Sequence, residues 1–88
     1  MKVKFLHIRK YDNDGQMRSH GGRTVAYQVD TQGIVWGYAE AKCHDNDNFV
    51  KEQGRVKAAG RLFSERYLKA CQMNESDFRI AMFGSIQY

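Results

Sequence analysis

The sequence predicts an α+β domain, a small antiparallel sheet of order βββαβ packed against one long helix. Three observations carry that expectation. Residues 24–43 hold two alternating runs joined at a glycine turn. Residues 48–72 repeat their apolar positions with helical spacing. Residues 78–83 alternate again, as a closing strand would.

Taken in order, residues 2–9 form the first strand, with Val3, Phe5 and His7 on one side and Lys2, Lys4, Leu6 and Ile8 on the other. Tyr11 to Arg23 is a loop, because Asp, Asn and Gly tolerate turn geometry. Thr24–Asp30 is the second strand, with Val25, Tyr27 and Val29 on one face. Thr31-Gln32-Gly33 turns the chain, and Ile34–Cys43 returns as the third strand. Trp36 shares a face with Ile34 and Tyr38, which points it towards the core. The helix follows His44-Asp45-Asn46-Asp47-Asn48, whose Asp and Asn side chains suit an N-cap. On a wheel, Phe49, Val56, Ala59, Gly60, Phe63, Tyr67, Ala70 and Cys71 fall within an arc of about 120°, the stripe expected to cover the sheet. Asn74-Glu75-Ser76 ends the helix, and Phe78–Phe83 is the fourth strand.

Length and composition place the whole chain, residues 1–88, in one domain with a self-sufficient core. No apolar run reaches the roughly 20 residues that cross a bilayer, and the first residues lack the apolar stretch of a signal peptide. Cys43 and Cys71 form no disulfide framework, so a reducing cytoplasm is expected, with no membrane partner. The net charge of +4 is unevenly placed. Residues 1–23 carry six Lys/Arg against two acids, residues 24–46 one against three, and residues 47–88 seven against five. Basic flanks around an acidic middle permit phosphate binding or an acidic protein partner.

Motifs for chemistry fail on spacing. Asp12-Asn13-Asp14-Gly15 opens like a calcium loop, yet the closing carboxylate position is occupied by Arg23. Cys43-His44-Asp45 with Asp47 offers zinc-ligand types, but neither cysteine has a partner at C-x2-4-C spacing. His20-Gly21-Gly22-Arg23 could place an imidazole and a guanidinium in a flexible loop beside a substrate, but a lone His in a Gly-rich loop is usually just solvated. No cofactor, metal or catalytic residue is assigned, and an enzyme is not expected. Binding is another matter. Arg9, Lys10, Arg18 and Arg23 could meet phosphates, with Tyr27, Trp36 and Tyr38 as stacking aromatics if they leave the core.

The segment 47–62 holds two glycines that each cost a helix about 1 kcal/mol relative to alanine. The wheel puts Gly60 beneath the stripe, between Val56 and Phe63, where the backbone would approach the sheet. It puts Gly54 on the outer side beside Lys51, Ala58 and Arg61, forming a shallow notch walled by cations. A notch of that shape suits a close-packed partner or a phosphate.

The pattern Asp47-x-Phe49-x-Lys51-x-x-Gly54-Arg55-x-x-Ala58-x-Gly60-Arg61, after a strand ending in Ala41-x-Cys43, resembles small accessory or early proteins of tailed bacteriophages. The resemblance covers residues 39–62. It implies a phage-encoded protein in the host bacterial cytoplasm that works by stoichiometric binding. Such proteins block a host enzyme or a defence complex such as CRISPR–Cas, or sequester a nucleotide signal. Motif residues map to Lys51, Gly54, Arg55, Ala58, Gly60 and Arg61, and no catalytic residue is carried over. The expected function is therefore a non-enzymatic inhibitor of a host protein or defence complex, with a nucleic-acid or nucleotide binder as the alternative. The expected binding residues are Lys51, Gly54, Arg55, Ala58 and Arg61 of the motif, with Arg18 and Arg23 of the loop. A homodimer stays open.

Overall fold

Alternation becomes strand in the first half of the chain, where the sequence analysis places it. The computed structural model describes residues 1–44 and 46–84. Strands β1 (Lys2–Ile8), β2 (Arg23–Val29) and β3 (Ile34–Lys42) pair antiparallel in chain order. The β2–β3 turn is held by Asp30, whose Oδ1 accepts from the N–H groups of Gln32 and Ile34, both at 2.9 Å. Gly33 stands there at φ +81°, a conformation that glycine adopts without strain.

The second half corrects the expectation. Helix α1 runs only over Lys51–Leu62, not 48–72. The chain then turns through Ser64, whose carbonyl accepts from the N–H groups of Tyr67 and Leu68. Residues read as the end of the long helix form β4 (Lys69–Asn74), which pairs antiparallel with β3 and completes a four-stranded sheet of order β1-β2-β3-β4. Cys71, placed in a helix by the sequence reading, is a strand residue. Phe78–Phe83, expected as the closing strand, lies inside helix α2 (Glu75–Gly84). The fold is α+β, with order βββαβα and two short helices in place of one long one.

Asn74-Glu75-Ser76 starts a helix where a stop was expected. The Asp77 N–H donates to Asn74 Oδ1 at 2.8 Å, an N-cap bond. Glu75 and Asp77 supply negative charge to the first turn, where the helix dipole favours it.

Each helix covers its own face of the sheet. On one face Ala26, Ala39 and Ala41 make a floor of small side chains, and Ala58 and Leu62 of α1 are buried against it, with Phe5 alongside. On the other, Leu6, Ile8, Val25, Tyr27, Val29 and Val35 surround Phe78 of α2, with Tyr38, Cys71 and Met82 at the margin. The Phe78 ring meets Tyr27 at 4.9 Å and Tyr38 at 5.3 Å between centroids. The Tyr27 hydroxyl donates to Glu75 Oε2 at 2.6 Å, and Lys4 Nζ pairs with the same carboxylate at 3.0 Å, fixing the start of α2 to the sheet.

Trp36 is the second departure. The strand register shifts beside it against both β2 and β4. The bulge turns Trp36 away from the core side expected for it, so the residue is 41% exposed and its indole N–H donates to Asp30 Oδ2 at 2.8 Å. Those bonds, the Ile34 amide first and the indole second, hold the Asp30 carboxyl below its ordinary pKa.

Candidate functional site

Antiparallel pairing gathers the cations that the sequence scatters. Ile8 is opposite Arg23 and Arg23 opposite Lys42, so the end of β1, the start of β2 and the end of β3 share one edge of the molecule. Arg9 and Lys10 continue from β1, and Cys43 and His44 from β3. The 11–22 loop is stitched onto this end through backbone bonds. Arg18 N–H donates to the Lys10 carbonyl at 2.8 Å, Phe49 N–H to the Ser19 carbonyl at 2.8 Å, and Cys43 N–H to the Gly22 carbonyl at 2.9 Å. Gly22, at φ +95°, is wedged where a Cβ would stand 2.7 Å from the Ile8 carbonyl oxygen.

Phe49 is the pivot of this end. The Arg9 guanidinium lies 4.6 Å from its ring centroid, and the His7 ring meets it edge-on at 6.0 Å. Arg9 Nη2 also donates to the Arg18 carbonyl at 2.9 Å, which fixes the guanidinium in place. Phe49 leads directly into α1, whose first two turns carry Lys51 and Arg55 near enough for their charges to act on His7. His7 Nδ1 lies 3.1 Å from the hydroxyl of Thr24, a side chain with no exposed surface. Burial first, then the charges of Lys51, Arg55 and Arg9, push the His7 imidazole below its ordinary pKa of 6.5. Three cations thus converge on one partly buried imidazole. Among the described residues no carboxylate pairs with Arg9, Lys51 or Arg55.

The start of α1 adds to this field. Val50 is its N-cap and brings no side-chain cap, so the first amides gain no carboxylate or hydroxyl from that position. This corrects the Asp/Asn cap expected from the sequence. Lys51 occupies the first turn, where the helix dipole disfavours a cation, next to Glu52, whose charge the dipole favours.

The notch expected around Gly54 does not form. Gly54 faces the sheet so closely that a Cβ built on it would collide with Thr24 Oγ1 and stand 3.0 Å from Thr24 Cβ. Ala58, one turn later, is fully buried. Ala58 is therefore a packing residue, and Gly54 packs on Thr24 while also lining the cleft beside the start of α1. Gly60, expected beneath the stripe, has nothing within 4 Å of a Cβ, and its neighbours Val56 and Phe63 are 69% and 70% exposed. Inside and outside are therefore exchanged relative to the wheel reading.

The remaining expected residues divide. Lys51 and Arg55 stand in the basic cluster, and the side chain of Arg18 lines a cleft with Arg9, Tyr11 and Phe83 next to it. Arg23 is committed to structure, donating through Nη1 to Glu40 Oε2 at 2.9 Å and through Nη2 to the Met82 carbonyl at 3.0 Å. Arg61 lies on the flank of α1 that faces β3, with Nη1 donating to the Glu40 carbonyl at 2.8 Å. The sequence reading missed His7, Thr24, Lys42 and Lys57 as parts of this end, and it weighed His44 only as a zinc ligand. The hairpin register was the available signal for the first three, since it aligns His7 with Thr24 and Arg23 with Lys42.

The chain matches no protein-family model, no curated protein and no solved structure. Among the described residues, no three of His, Cys, Asp or Glu stand together as a metal site, and no helix is long and apolar enough to cross a membrane.

Proposed function

We propose that this chain is a non-enzymatic accessory protein of the bacteriophage kind. It acts in the host cytoplasm by stoichiometric binding, and its working surface is the basic end of the sheet. The observation that carries the reading is the Arg9 guanidinium over the Phe49 ring beside His7, with the charges of Lys51 and Arg55 acting on the same imidazole and no answering carboxylate among the described residues. Holding like charges together costs free energy that a bound anion returns. The partner accordingly presents phosphates, as a free nucleotide, a nucleic acid or the nucleic-acid part of a host defence complex. Inhibition follows from occupancy alone. A second reading, direct contact with a host protein, is favoured by Val56 of α1 and Phe63 at its C-cap, which are apolar and exposed.

Fluorescence anisotropy with a labelled oligonucleotide across a salt series tests the first reading. Affinity should fall steeply as salt rises, because binding releases counterions from the phosphates. Arg55→Glu should weaken it at least tenfold while leaving the circular dichroism spectrum unchanged. Binding that ignores both salt and Arg55→Glu would move the contact to Val56 and Phe63.

The same site predicts a pH dependence. In the free protein the imidazole holds its proton less well than an ordinary histidine. A bound anion offsets Lys51, Arg55 and Arg9 and raises the His7 pKa, so the complex binds more protons than the free protein. Affinity should therefore rise as pH falls through and below 6.5. His7→Gln should remove that rise and keep the salt dependence. A wild-type affinity flat from pH 8 to 5.5 would detach His7 from the anion site.

A further inference from the structure

We infer that the basic end is the entrance to a track for single-stranded nucleic acid, which runs along the β3 flank of α1 and ends on Tyr67. This inference rests on the phosphate-binding reading above and specifies the ligand as a strand rather than a nucleotide.

The track begins beside the start of α1, where Lys42, His44 and Lys57 line one cleft together with Gln53. Asp47 is the carboxylate of that cleft, set against Lys42 and Lys57. Lys57 and Arg61 follow on the same side of the helix, four residues and therefore about 6 Å apart along the axis. The bond from Arg61 Nη1 to the Glu40 carbonyl keeps this guanidinium beside the end of β3. Its carbon stands 5.3 Å from the ring centroid of Tyr67, and the Arg66 guanidinium stands 5.7 Å from the same ring. Tyr67 is 48% exposed at the far end of the helix, and because both guanidinium groups stand over its ring, a base stacks there by displacing one of them.

The combination separates a strand from the other phosphate ligands. A groove of cations that follows a backbone, with an aromatic platform for bases, is how single strands are held without sequence readout. A mononucleotide or polyphosphate needs the cations only and gains nothing from Tyr67 at the opposite end of a twelve-residue helix, about 18 Å long. The 6 Å interval between Lys57 and Arg61 exceeds the roughly 3.4 Å rise per nucleotide of a stacked duplex strand, and it suits an extended one. Among the described residues neither Lys57, Arg61 nor Arg66 is paired with a carboxylate.

The test is competition against a labelled single-stranded oligonucleotide by unlabelled single strands of increasing length, a matched duplex, a mononucleotide and inorganic polyphosphate. The full chain is used, unmodified or carrying Tyr67→Ala or Arg66→Glu. Affinity should grow with strand length and then level off, and single strand should outcompete duplex. Tyr67→Ala should weaken the oligonucleotide about five- to a hundredfold, the effect of losing one stacked base, and leave polyphosphate unchanged. Arg66→Glu should weaken long strands more than short ones. Equal binding of polyphosphate and oligonucleotide, indifferent to Tyr67→Ala, would overturn the track and leave the basic end standing. Duplex preferred over single strand would overturn it as well. Failure of every anion to bind would overturn both readings together.

Discussion

Gly54→Leu should unfold this protein at markedly lower temperature than wild type, whereas Gly60→Leu should not. The reason lies in the α1 face of the sheet. A Cβ at residue 54 collides with Thr24 Oγ1, and Thr24 is fully buried and bonded to His7, so the hydroxyl has no free direction in which to yield. Overpacking of this kind costs about 1–3 kcal/mol, more than the roughly 1 kcal/mol that leaving glycine returns in helix propensity. For a domain of this length each kcal/mol moves Tm by about 4–8 °C, so a fall on the order of 10 °C is expected. Gly54→Ala should show the same sign at smaller size. Gly60 faces open space, and Gly60→Ala should raise Tm by a few degrees. Thermal melts of the three variants decide the matter. Equal melting of Gly54→Leu and wild type would place α1 in a different rotation on the sheet.

That rotation is also where the sequence was misleading, for a physical reason. A helical wheel assigns large apolar residues to the inside, and Val56, Phe63 and Tyr67 made the larger apolar arc. The sheet beneath α1 is paved with Ala26, Ala39, Ala41 and Thr24, and close approach to such a floor selects Gly54, Ala58 and Leu62 instead. Small residues four apart carried the packing signal, and they read as a surface notch because side-chain size alone was scored. The alanine run Ala39, Ala41 was visible in the sequence, and it was the clue to a helix seated on small residues.

The first three strands and the hairpin were legible because period-two alternation survives in Leu6, Ile8, Val25, Tyr27 and Val29, all buried on one face. The second half was not. Phe78, Ile80 and Met82 alternate as a strand would, yet Phe78 and Met82 are also one helical turn apart. What separates the two readings is the Asn74–Asp77 cap, and Asn, Ser and acidic residues mark the start of a helix as readily as its end. Of the residues proposed to bind, Lys51 and Arg55 came from the motif. Their partners Arg9 and His7 sit more than forty residues away in sequence and meet them only through the strand pairing and the fold of α1 onto it.

The second layer makes the other large prediction. Phe78→Ala should cost about 3–5 kcal/mol, the range for removing a buried aromatic. Phe78 is fully buried between Tyr27 and Tyr38, and it is the largest side chain that α2 inserts into the core. Small domains have about 5–15 kcal/mol to lose, so the variant should stand close to the threshold of folding. Two further ties would loosen with it, the Tyr27 hydroxyl to Glu75 and the Arg23 guanidinium to the Met82 carbonyl, because both depend on where α2 lies. Glu75→Gln offers a milder version that keeps the core intact. The folded-state pKa of Glu75 is lowered, chiefly by the Tyr27 hydroxyl and then by Lys4, so its contribution is present above the ordinary value of 4.5 and fades as pH falls below it. Wild type should accordingly lose stability on acidification below pH 4.5 more than Glu75→Gln does. Hydrogen exchange resolves what Phe78→Ala does: amides of 78–83 should lose protection first, followed by the β3–β4 pairing, while the β1–β2 ladder holds longest. A Phe78→Ala protein melting within a degree of wild type would mean that α2 does not belong to the core, and that the sheet carries that face uncovered.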